Sequence, residues 1–96
     1  MKALFIAYNQ AHKEQVIEQI KLTLLKGYTF WEEVEGVGSR DGEPHLGSHA
    51  WPTLNSATLL FAEDEKAKEL KKRLEQVDID NPALGLRVFS WTIDED

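Results

Sequence analysis

The chain has no cysteine, which excludes disulfide staples, thiolate metal sites and cysteine nucleophiles. It is also short of bases: 11 Lys and Arg stand against 17 Asp and Glu, a formal net charge of -6. A surface that holds a polyanion by counterion release needs a concentrated Lys/Arg stripe, so nucleic acid is not expected as a partner. Long hydrophobic runs are missing too. The longest, around Ala3 to Tyr8 and Ala57 to Ala62, fall far short of the roughly 20 apolar residues of a bilayer helix, and no direct membrane insertion is expected. The first run lacks the flanks of a secretory signal, which makes a cytoplasmic location the expectation. With 96 residues the chain is read as one domain, 1–96, with a thin core that buries about two-thirds of its unfolded surface.

What is present reads as alternating strands and helices. Lys2 to Tyr8 is apolar on both alternating faces and predicts a central strand. From Gln10 to Lys26, Val16, Ile17, Ile20 and Leu24 recur at helical spacing opposite Lys13, Glu14, Glu18 and Lys21, so one face is buried. Gly27 is the expected left-handed stop of that helix. Tyr28 to Glu35 mixes aromatic and β-branched residues with carboxylates, as an edge strand does.

Periodicity then lapses between Gly36 and Asn55, where four of the six glycines and two of the three prolines fall. A loop of about twenty residues is predicted there, a length that compact domains usually keep for function. Ser56 to Ala62 is again apolar on both faces. Asp64 is the expected N-cap of a second helix carrying Ala67, Leu70, Leu74 and Val77 on one stripe. A polar turn, Asp78 to Gly85, precedes a last strand, Leu86 to Ile93, with Phe89, Trp91 and Ile93 on one side.

The order βαββαβ predicts an α+β, ferredoxin-like domain: a four-stranded antiparallel sheet with two helices on one face and the first and third strands central. Both central strands are apolar on both sides, so the second sheet face needs a cover. Other copies of the chain, packed sheet against sheet, are the expected cover.

Few residues carry chemistry. Gly36 and Gly38 could bring backbone N–H groups to an anion, but the pair opens no helix and matches no nucleotide fingerprint; glycines that simply let an edge strand turn are the favoured reading from the residues alone. His45 and His49, with Asp41 and Glu43 just before them, concentrate groups that suit a divalent transition metal, although Gly47 between them opposes a helical site and exposed loop histidines are the plain alternative. A third ligand would have to come from His12 or another copy. Glu32, Glu33 and Glu35 are explained by a charged edge, and no nucleophile elbow exists, so no catalytic residue is assigned and an enzyme is not expected.

The run Val34-Glu35-Gly36-Val37-Gly38-Ser39-Arg40-Asp41-Gly42 resembles the V-x-G-[FV]-G-R-x-x-G motif of the nitrogen-regulatory PII signalling family, where it leads from the second strand into the long T-loop. The resemblance implies a homotrimer, an effector such as an adenine nucleotide in clefts between subunits, and a T-loop, here about 36–55, that contacts a target protein such as a membrane transporter. It assigns ligand binding to Gly36, Val37, Gly38, Ser39 and Arg40. The family's Gly/Lys-rich phosphate loop is replaced by Val77 to Arg87, which carries Asp78 and Asp80 and leaves Gly85 and Arg87 as its only counterparts. Ser39 stands where the family has arginine, and the loop holds no tyrosine. These departures resemble divergent PII-like proteins linked to solute transport. The related cation-tolerance (CutA) family shares the fold and implies metal binding by His45 and His49.

Overall fold

The structure, a computed structural model, describes residues 1–25, 27–34, 36–37, 44–45, 55–81 and 85–94. Strand β1 (Lys2–Asn9) leads through a 3-10 turn (Gln10–His12) into α1 (Lys13–Leu22). Then follow β2 (Thr29–Val34), β3 (Gly36–Val37), β4 (Pro44–His45), β5 (Asn55–Ala62), α2 (Asp64–Asp80) and β6 (Arg87–Thr92). The four long strands form one antiparallel sheet in the order β2-β5-β1-β6. This is the expected ferredoxin-like sheet with the two doubly apolar strands at its centre.

The register assigns the two faces. Leu4 pairs with Leu60, Ile6 with Thr58 and Tyr8 with Ser56, and these side chains point to the helices. There Leu4, Ile6, Tyr8 and Leu60 join Val16 and Ile20 of α1 and Ala67, Leu70, Leu74 and Val77 of α2 in one buried cluster. Each fully buried leucine there contributes about 1.5 to 3 kcal/mol, and cutting Leu74 to alanine would cost about 2 to 5 kcal/mol. Within this layer the Tyr8 hydroxyl is 2.8 Å from Thr58 Oγ1, which satisfies two polar groups that water cannot reach.

The opposite face carries Ala3, Phe5 and Ala7 of β1, paired with Trp91, Phe89 and Arg87 of β6. Ala57, Leu59 and Phe61 of β5 continue it, with Trp31 of β2 opposite Ala57. No helix covers it. Trp31, Phe61, Phe89 and Trp91 are 42%, 53%, 56% and 48% exposed, far more than a monomer's sheet centre needs.

Three local expectations differ. α1 stops at Leu22, and the left-handed residue after it is Leu24, at φ 64, instead of Gly27. Leu24 N–H donates to Lys21 O (2.9 Å) and Leu25 N–H to Ile20 O (3.4 Å), the bonding pattern of a Schellman stop. Leu25 packs against the core, so tertiary burial overrides the conformational preference of Leu24. Asp64 is the first helical residue instead of the cap; Glu63 takes the cap position and makes no side-chain cap bond.

α2 also runs on to Asp80, past the expected turn, with no basic residue in its last turn. Asp78 and Asp80 thereby oppose the helix dipole. Buried Val77 and the end cap of Asn81, whose side-chain and backbone N–H both donate to Val77 O at 3.0 Å, carry the extension.

Candidate functional site

The chain direction carries the described residues among the expected ligand set, Gly36, Val37, Gly85 and Arg87, toward one end of the sheet. β2 reaches that end at Val34, opposite Asn55 at the start of β5; β1 reaches it at Asn9, and β6 begins there at Arg87. The same end receives the close of α2 and the 3-10 turn.

On the β2 edge the register shifts between Trp31 and Val34. The Glu32 carbonyl, freed from the regular ladder, accepts from Gln10 Nε2 (2.8 Å) and from Ser56 Oγ (2.6 Å). These two bonds fix the end of β2 against the 3-10 turn after β1 and against β5. Just beyond it, Gly36 pairs with His45 and Val37 with Pro44. The segment 36–55, expected to be wholly irregular, therefore contains a short antiparallel stem; two residues a side are too few to leave a periodic signal.

Gly36 and Val37 thus form one strand of the stem, and His45 lies on the other. On the β6 edge Gly85 has φ 69, a conformation that favours glycine. Exposed Arg87 follows, its Nη1 donating to Leu86 O at 3.2 Å. Gly38, Ser39, Arg40, Asp41, Glu43 and His49 lie outside the described residues. β2 and β6 are the two outer strands, and three inter-strand steps put them about 14 Å apart. The stem follows β2 and the Gly85–Arg87 corner opens β6, so the two start from opposite edges at the same end of the sheet.

His12 is not a surface ligand. It is 1% exposed, and neither ring nitrogen has a hydrogen-bond partner. Burial lowers its pKa, and the Asp78 carboxylate opposes that shift more weakly. Among the described residues no group of three or more His, Cys, Asp or Glu could hold a metal ion. Tyr8, also buried, has its pKa raised by burial, with the bond to Thr58 acting the other way.

The Gln10, Ser56 and Glu32 node could not be read from residue types, because its acceptor is a main-chain carbonyl. The burial of His12 had a signal: it stands four residues before Val16 and eight before Ile20, on the stripe that α1 buries.

By its own geometry the molecule is a ferredoxin-like α+β domain with a stemmed segment and a glycine–arginine corner at one end of its sheet. Comparison with solved structures makes the class narrower: the fold is that of PII-like proteins. A nitrogen regulatory PII-like protein, CPII, from Thiomonas intermedia K12, bound to ADP, AMP and bicarbonate, superposes with a TM-score of 0.76 at 23% identity, over 94% of this chain and 82% of that one. Its apo form gives 0.70 at 19% identity, over 94% and 85%. A candidate PII-like signaling protein from Thermus thermophilus gives 0.65 at 19% identity, over 94% and 83%. No family model and no curated protein sequence matches the chain. Among the described residues no helix is long and apolar enough to cross a membrane.

Proposed function

We propose that this chain is a PII-like regulatory protein, a sensor instead of a catalyst, that binds an adenine nucleotide between neighbouring copies and acts on a partner protein through the segment 36–55. The observation that carries this reading is the separation of the two half-sites. The stem residues Gly36 and Val37 and the corner residues Gly85 and Arg87 share one end of the sheet but sit on opposite edges. Copies packed through the bare aromatic face would bring one edge of each to the opposite edge of the next. The resemblance of the Val34 to Gly42 run to the PII motif supports the trimer. The CPII structures bound to ADP, AMP and bicarbonate support the ligand class. Asp78 and Asp80 at the same end favour a mono- or diphosphate over a triphosphate, because each added phosphate charge meets their field.

A thermal-shift titration with AMP, ADP and ATP, with and without bicarbonate, tests it. AMP or ADP at a hundred times its dissociation constant should add about 2.7 kcal/mol of stability, and Arg87→Glu should abolish the shift. A melting curve that no nucleotide moves contradicts the reading.

A further inference from the structure

His12 poses a question that nucleotide binding does not answer. A fully buried imidazole with two unpartnered nitrogens is poorer in free energy than an apolar side chain of the same shape. Its position gives it leverage. It closes the 3-10 turn between β1 and α1, where Asn9 Oδ1 accepts from Ala11 N–H at 2.8 Å. On that same turn, Gln10 holds the Glu32 carbonyl of β2 at 2.8 Å, four residues before Gly36.

The charges around His12 are few. Among the described residues Asp78 on α2 is the charged group that acts on it, and no hydrogen bond joins the two. Lys13 and Glu14, next along the chain, are exposed, with the Lys13 ammonium 4.7 Å over the Phe30 ring of β2. A proton arriving on His12 would thus create a buried cation with no bonded partner, which the fold tolerates only by opening.

We propose that His12 is a proton-operated latch: neutral, it stays packed under the turn; protonated, it leaves the core, carries Gln10 off Glu32, and frees the end of β2. Acid thereby loosens β2 while the central strands stay paired.

Native-state hydrogen exchange on the full chain between pH 8 and 5.5, corrected for intrinsic chemistry, tests it. Below about pH 6.5, opening of Ala11 and of the paired amides in Thr29–Val34 should rise by up to about tenfold per pH unit and stay faster than opening of β1 and β5. His12→Leu should remove this response. Asp78→Asn, which takes away a charge favouring the buried imidazolium, should leave the onset in place and carry the rise on to lower pH, and serves if His12→Leu fails to fold. Gln10→Ala should leave the Ala11 response intact and uncouple β2 from it. Turn and β2 amides that exchange no faster than the central strands at every pH overturn the latch. So does a response that survives His12→Leu or ignores Asp78→Asn, or a β2 response unchanged in Gln10→Ala.

Discussion

Replacing Phe89 by aspartate separates assembly from folding. Phe89 is 56% exposed on the face away from both helices, opposite Phe5 of β1, so the protomer's own core loses little. The four exposed aromatics of this face leave roughly 400 Å² of ring surface in water. Covering it is worth about 10 kcal/mol per protomer before the cost of association, which is enough to hold an oligomer together. Phe89 alone accounts for roughly 110 Å², or about 3 kcal/mol, and a carboxylate pressed into the same apolar contact adds a desolvation penalty of several kcal/mol. Association should weaken by more than about 100-fold. Sedimentation velocity at micromolar concentration should show a trimer for the natural chain and a monomer for Phe89→Asp, with far-ultraviolet circular dichroism unchanged. A monomeric natural chain, or a variant that assembles as before, refutes the assignment of this face to sister subunits.

Three smaller changes probe the protomer. Leu24→Gly should stabilise the fold by about 0.5 to 1 kcal/mol in urea denaturation, because Leu24 is 73% exposed and held at φ 64, where an L side chain costs about 1 to 2 kcal/mol and glycine's greater unfolded freedom offsets part of the gain. Thr58→Val should cost about 1 to 3 kcal/mol, since it strands the buried Tyr8 hydroxyl; Tyr8→Phe in the same background should recover part of the loss. The folded-state pKa of His12 lies below its ordinary value, so the unfolded chain binds more protons in acid. Its contribution is complete above about pH 6.5 and declines as pH falls, by at most about 1.4 kcal/mol per unit. Denaturation midpoints of His12→Leu should be flatter than the natural chain's between pH 7.5 and 5.5.

The central strands were legible because strands packed on both faces are apolar at nearly every position, as Ala3 to Tyr8 and, Thr58 apart, Ala57 to Ala62 are. The uncovered face followed from the same fact, since two helices can cover only one side. Element ends were less legible. Leu24 turns left-handed because Leu25 has a place in the core, and α2 persists through Asp78 and Asp80 because Val77 is buried and Asn81 closes the last carbonyls. Both outcomes set tertiary packing against local preference, which sequence alone cannot weigh. Of the residues proposed to bind ligand, Gly36, Val37, Gly85 and Arg87 stand toward one end of the sheet. Their distribution over opposite edges depends on strand order. The Glu32 carbonyl that anchors this end depends on a register shift.

Subunit complementation with ADP tests the divided site most directly. Gly36→Glu spoils the stem edge and Arg87→Glu the corner edge, and each variant alone should fail to bind ADP by calorimetry. Trimers refolded from an equal mixture should regain about a quarter of the clefts, those that join an intact stem to an intact corner. A mixture that binds no better than either variant alone would place the site within one protomer and contradict the account.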